Sequence, residues 1–176
     1  GHDSGVYAYG YAPGLILAYS NEVNKPVTYG LSAGVFAAAG GAQYQRSFSS
    51  PLVIVQAETR QKLFEGLDGN YRAYYWRNGQ GSELDRSVAR HAGWGVNLDQ
   101  RVDDALTLFA RAGKQTRGRV QFDQTLTGGV EIGGYYWGRS ADALGIALGS
   151  QRSSRNFRDE SATLDADGDG QPDFGY

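Results

Sequence analysis

The residues able to do chemistry fall into two groups. Near the end of the chain, Asp165, Asp167, Asp169, Gln171 and Asp173 present oxygen ligands at alternate positions, with Gly168 and Gly170 available for a tight turn. Hard cations take oxygen donors at such spacing, so the stretch is a candidate calcium loop. The position where an EF-hand needs its final Glu holds Tyr176, so an EF-hand is not expected. The second group is Glu58, Arg60, Arg72, Tyr74, Trp76, Arg111 and Glu131, each in the middle of an alternating segment. Charged and hydrogen-bonding side chains on a hydrated wall replace part of a solute's water shell. Aromatic faces offer a platform to the C–H-rich surface of a sugar while Arg bonds its hydroxyls. The bland alternative is that these charges pair with one another and only solvate the wall, with Trp76 one of the rings found at headgroup level. That headgroup position is the better expectation for Tyr135, Tyr136 and Trp137, which sit beside a turn.

Bond-making chemistry finds little support. His2 and His91 lie far apart without metal-ligand spacing, and no motif singles out a nucleophilic serine. Gly128-Gly129 and Gly133-Gly134 sit inside strand-like segments, not in phosphate loops. The formal charge of -2 offers no basic footprint for nucleic acid. No enzyme activity and no organic cofactor are expected.

The elements that must position these residues are strands. Ala92, Trp94, Val96 and Leu98 alternate with Gly93, Gly95, Asn97 and Asp99; Leu106, Leu108, Ala110 and Ala112 alternate with Thr107, Phe109, Arg111 and Gly113. Val53, Val55 and Ala57 oppose Gln56, Glu58 and Arg60, and Tyr71, Ala73 and Tyr75 oppose Arg72, Tyr74 and Trp76. Leu126, Val130 and Ile132 oppose Thr127 and Glu131, and Leu144, Ile146 and Leu148 oppose Gly145, Ala147 and Gln151. Side chains of a strand point to opposite faces in turn, so each segment has one greasy and one wet side. Tyr29 to Ala37 behaves likewise. Val6 to Tyr11 and Leu15 to Tyr19 read as extended, either as one bent strand or as two.

About eight strands result. The connections at Asn21, Gln61, Asp99 and Trp137 read as short, and those starting near Ala38, Gly79, Lys114 and Arg152 as long and polar. Short turns on one side and long loops on the other is the habit of an outer-membrane barrel. No stretch approaches the ~20 apolar residues of a membrane helix, and strands can cross lipid only in a closed barrel. The expected fold is therefore all-β, an antiparallel transmembrane β-barrel in one domain over residues 1–176, with residues 159–176 an acidic loop. No Met is present, and Tyr176 falls in a loop with no closing strand after it, which reads as part of a larger barrel. A small closed eight-stranded barrel with a structural or adhesive role, and a soluble sugar-binding sandwich, are the alternatives.

The run Pro51-Leu52-Val53-Ile54-Val55-Gln56-Ala57-Glu58, followed by Gly69-Asn70-Tyr71-Arg72-Ala73-Tyr74-Tyr75-Trp76-Arg77-Asn78-Gly79, resembles the carbohydrate-selective porins of the OprB type. So do His91 to Gln100, Leu106 to Arg111, Phe122 to Thr127 and Tyr136 to Asp142. The resemblance covers about Pro51 to Arg158, and it rests on the order and spacing of glycines and aromatics. It implies a barrel of roughly sixteen strands, half of it present here, in the bacterial outer membrane. Such a barrel passes sugars and other small hydrophilic solutes passively, with membrane lipid as a partner and a homotrimer as the assembly.

Overall fold

A computed structural model of the chain describes residues 6–7, 10–11, 13–21, 25, 27–38, 48–63, 66–165 and 167–173. Alternating segments become strands: β1 (Val6–Tyr7), β2 (Gly10–Tyr11), β3 (Gly14–Ser20), β4 (Val27–Phe36), β5 (Leu52–Leu63), β6 (Leu67–Ser82), β7 (Val88–Asp103), β8 (Leu106–Arg117), β9 (Phe122–Gly133) and β10 (Ala143–Ser153). A 3-10 turn, Gly134–Trp137, precedes β10, and the short helix α1, Arg155–Glu160, follows it. The Val6 to Tyr11 stretch forms β1 and β2, which pair only with each other. Tyr9, and Tyr176 at the other end, lie outside the described residues. No helix among them is long and apolar enough to cross a membrane, which says nothing of crossing by strands.

β3 to β10 form one eight-stranded antiparallel meander in which every strand bonds its sequence neighbours. β3 and β10 are its two edges, and they do not pair with each other. Neither an eight-stranded closure nor two packed sheets is present among the described residues.

The strands run further than their alternation suggests. The long polar loops expected from Gly79 and from Lys114 to Asp123 are instead strand: β6 continues to Ser82, β8 reaches Arg117 and β9 starts at Phe122. Only residues 83–87 and 118–121 remain as connections there. Ladder hydrogen bonds need no apolar face once water lies on both sides, so the ribbon outlasts its hydrophobic pattern. The opposite turns tighten for the same reason, β5 reaching Leu63 and β7 Asp103. The long connection expected from near Ala38 falls largely on residues 39–47, outside the described residues.

Register sorts side chains into two faces, because directly paired residues point the same way. One row runs Leu31, Ala57, Ala73, Val96, Ala112 and Leu126 across β4 to β9. Its large apolar neighbours are open: Leu148 is 81% exposed, Leu17 68% and Leu98 38%. Among the described residues, the buried hydrophobic ones are Ala37, Ala38, Ala92 and Phe157. A soluble sheet would cover such a surface, since monomers rarely expose apolar patches beyond a few hundred Å².

A cluster of enclosed side chains lies at one end, where β6–β7, β8–β9 and α1 meet, while Gln100, 6% exposed, is enclosed at the other. His91 and Phe157 are each 1% exposed. His91 Nε2 lies 3.2 Å from Glu83 Oε1, while Glu83 Oε2 accepts the backbone N–H of Arg119 at 2.9 Å. The Arg119 guanidinium bonds Asp85 at 3.0 Å and also Glu160 of α1. Glu160 chiefly, then Asp85, holds Arg119 above its ordinary pKa. Ser154 caps α1 by accepting from Phe157 N at 3.0 Å, which seats Phe157 inward.

Candidate pore wall and acidic loop

The face opposite the apolar one carries the second group of candidate residues. Glu58 is paired with Arg72, Arg72 with Asn97, Asn97 with Arg111, and Arg111 with Thr127, a continuous cross-strand row. Arg60 stands two positions from Glu58 along β5, Tyr74 and Trp76 follow Arg72 along β6, and Glu131 follows Thr127 along β9. The register thus brings all seven to one face.

Their partners differ. Arg72 Nε is 3.5 Å from Glu58 Oε2, and Gln56 Nε2 donates to the same oxygen at 3.2 Å. Arg60 Nε donates to Asn70 Oδ1 at 3.0 Å. Glu58, Arg60, Asn70 and Arg72, with Ser20 and Thr28, line a recess of about 210 Å³. The Arg111 guanidinium instead lies over the Phe109 ring, 5.5 Å from its centroid. Half-exposed pairs of this kind add little to stability. Their consequence is a wall with separated positive and negative groups at fixed places.

The aromatic rings lie flat against this wall because glycine stands opposite each. Tyr74 pairs with Gly95 and Trp76 with Gly93. A Cβ on Gly95 would come 2.3 Å from the Tyr74 hydroxyl, and one on Gly93 would come 2.9 Å from the Trp76 ring. Glycine in a strand commonly marks such close approach. Each ring therefore keeps one face turned to solvent.

Four residues that sequence reasoning passed over join these rings. Gln115, Asp123, Thr125 and Gln151, with Tyr74 and Trp76, surround a second recess of about 250 Å³. The row Tyr74, Gly95, Gly113, Thr125, Gln151 supplies its base. Asp123 Oδ1 is buried and has no hydrogen-bond partner among the described residues. Gln115 and Asp123 were concealed by the supposed loop from Lys114 to Asp123. Carrying the odd-numbered parity of Arg111 and Thr127 outward along β8 and β9 would have placed both on this face.

In the acidic loop, carboxylate oxygens of Asp165, Asp167 and Asp173 lie within 4.8 Å of one another, an all-oxygen donor set suited to a hard cation. Asp169 and Gln171 are not drawn into the cluster: Asp169 Oδ1 accepts the Gln171 N–H at 2.8 Å. Asp165 accepts N–H groups from Gly170 at 2.9 Å and Gly168 at 2.6 Å. These bonds, Gly170's foremost, hold its carboxyl below the ordinary range. Both glycines have positive φ, 79° and 84°, which L side chains rarely adopt. Ala166 lies outside the described residues.

Tyr135, Tyr136 and Trp137 occupy the exposed 3-10 turn at the opposite end, where the Tyr136 hydroxyl donates to Asp103 Oδ2 at 2.7 Å. His91, the one described histidine, is enclosed with its Nε2 beside Glu83.

A family model described as carbohydrate-selective porin, OprB family, matches residues 15–174. No curated protein matches the chain. Among solved structures, the high-pH structure of Pseudomonas putida OprB aligns with a TM-score of 0.65 at 16% identity, over 89% of this chain and 46% of that one. This chain therefore spans less than half the length of that structural neighbour, and at such identity the likeness speaks for the fold.

Proposed function

We propose a function from one premise: the chain belongs to the carbohydrate-selective porin family, OprB. It forms part of a channel in the bacterial outer membrane through which carbohydrates and other small hydrophilic solutes diffuse down their gradients. The observation that carries this reading is the division of one sheet into an exposed apolar face and a charged, aromatic-bearing face. Lipid suits the first and a hydrated passage the second.

In lipid, unpaired edges are costly because no water satisfies their N–H and C=O groups. β3 and β10 both present such edges. Further strands bonded to them would close a barrel of roughly sixteen strands, with this chain as a single partial barrel domain over residues 1–176 and its 159–176 segment an appended acidic loop. Open edges that stay apart count against the small eight-stranded barrel. A trimer is the assembly we favour.

No bond is made or broken in this mechanism, and neither enzyme activity nor a required cofactor is part of it. Glu58 beside Arg72, with Arg60, Arg111 and Glu131, sets a field across the wall that orders water and disfavours apolar solutes. A sugar ring stacks on Tyr74 and Trp76 while Gln115, Asp123, Thr125 and Gln151 take its hydroxyls. The recess is smaller than the ~300–1,000 Å³ of drug-sized sites, which suits one ring held weakly enough to leave. Calcium would bind Asp165, Asp167 and Asp173; its chemistry there is structural, tying the acidic loop. Titration calorimetry of the intact protein with calcium checks this, and no heat lost in Asp167→Ala would remove the site.

Planar-bilayer recording tests the main reading. The intact protein should give stable current steps, and Arg72→Ala and Arg111→Ala should each shift the reversal potential in a salt gradient toward cation preference. Permeation that is the same in both variants would remove them from the wall's selectivity, and absence of any current would overturn the channel.

A further inference from the structure

On the apolar face, a cation interrupts the apolar row on several strands as they leave the hydrophobic zone toward the enclosed end, with Val88 of β7 the one apolar residue beyond it on these strands. Along β6 Tyr75 gives way to Arg77, and along β8 Ala112 gives way to Lys114. Along β7, read toward that end, Ala92 gives way to Arg90; along β10, Leu148 and Ser150 give way to Arg152. Parity puts all of them on the same side as their apolar neighbours, and all are exposed. None of them has an ion pair among the described residues. Of the nearby carboxylates, Asp85 and Glu160 are engaged by Arg119 and Glu83 by His91 and the Arg119 N–H, while Asp123 belongs by parity to the opposite, wall face. At the other rim the same face ends in Gln61, Gly69 and Gln100, which share one register row. No Lys or Arg stands on that rim of the face among the described strand residues.

Lys114, Gln124 and Arg152 also share a register row, above a groove of about 440 Å³ lined by Trp94, Leu126 and Ser150. An apolar slot beneath a cationic lip matches an amphiphile with an anionic head. Four cations without an ion pair among the described residues, at the level where hydrocarbon gives way to water, need counter-charges there. Arg, with its planar fork, is suited to bidentate phosphate contact.

We propose that Arg77, Arg90, Lys114 and Arg152 form a collar that docks the phosphate headgroups of anionic lipid in the leaflet at the enclosed end, with the Trp94–Leu126 groove taking an acyl chain. The inference rests on the apolar face meeting lipid, and the experiment separates the two. The intact protein is reconstituted in vesicles of phosphatidylcholine containing either brominated phosphatidylglycerol or brominated phosphatidylcholine. The fluorescence component lost in Trp94→Phe is followed as bromine quenches it. Half-quenching should need roughly tenfold less brominated phosphatidylglycerol than brominated phosphatidylcholine. The gap should narrow with salt and close in Lys114→Gln/Arg152→Gln. Should that pair fail to fold, Arg77→Gln/Arg90→Gln should narrow the gap instead. Equal quenching by the two lipids overturns the collar and leaves the lipid-facing surface intact. No quenching by either lipid overturns both. A preference lost in inorganic phosphate but kept in sodium chloride of equal ionic strength would also overturn it, because the cations would then read free phosphate and not lipid.

Discussion

The middle of the sheet and its enclosed end are built on different physics. Between Tyr71 and Tyr75 on β6, no side chain is buried, and the strands present one face to each solvent. Past Arg77 the same strand passes Asn78, which is fully buried, and meets His91, Phe157 and the Arg119 network. In the middle, order comes from ladder bonds and from the fit of each face to its surroundings. At the end, it comes from a small packed core of the kind soluble proteins use. One ribbon thus changes its source of stability along its length.

That contrast can be broken at several points. Phe157→Ala empties the packed end and should lower its local opening free energy by about 3–5 kcal/mol, read as faster hydrogen exchange at Ser154 and Ser161 with the amides of Leu108, Ala110, Gly128 and Val130, far from that end, unchanged. Ile146→Arg puts charge on the lipid side at mid-strand and should cost about 2–4 kcal/mol in denaturant unfolding from vesicles. Gly145→Arg, one residue away on the other face with open space at its Cβ, should change stability by less than ~1 kcal/mol. If Gly145→Arg proves as costly as Ile146→Arg, the two faces are not distinguished by solvent.

Acid should loosen the enclosed end and spare the middle. Ser87 first, and also Arg119, holds the Asp85 carboxyl below its ordinary value. A lowered carboxylate stabilises at pH above its unfolded value of ~3.9 and ceases to do so as pH falls through the lower folded value. Pepsin nicking within residues 83–87 should therefore rise as pH drops below about 4, while fragments cut within β8 or β9 stay absent. Asp85 is well exposed, so this is the smallest of the effects.

Much of this division could be read from the chain. Alternation assigned Arg72, Arg111 and Glu131 to one side and Leu98, Leu108 and Leu148 to the other, and register agrees strand by strand, because parity is a local property. Strand ends were less legible. Gly79 to Ser82 and Lys114 to Arg117 lose their apolar alternation but keep their ladder bonds, and nothing in composition marks that continuation. The recess at Asp123 was missed for the same reason. By parity His91 belongs to the wet side with Gly93 and Asn97; its burial depends on Gly81 and Gly118, whose missing side chains leave room for the ring. Ser154 and Phe157 form a cap that only the folded hairpins give something to cover.

The rings resting on glycine bear on calibre. Because Tyr74 lies where Gly95 has no side chain, an aromatic surface would line the proposed passage while taking little of its bore. A methyl group at Gly95 would narrow it twice over, once by its own bulk and again by tipping the ring toward the axis. Constrictions in such a wall can thus arise from residues that never touch what passes through.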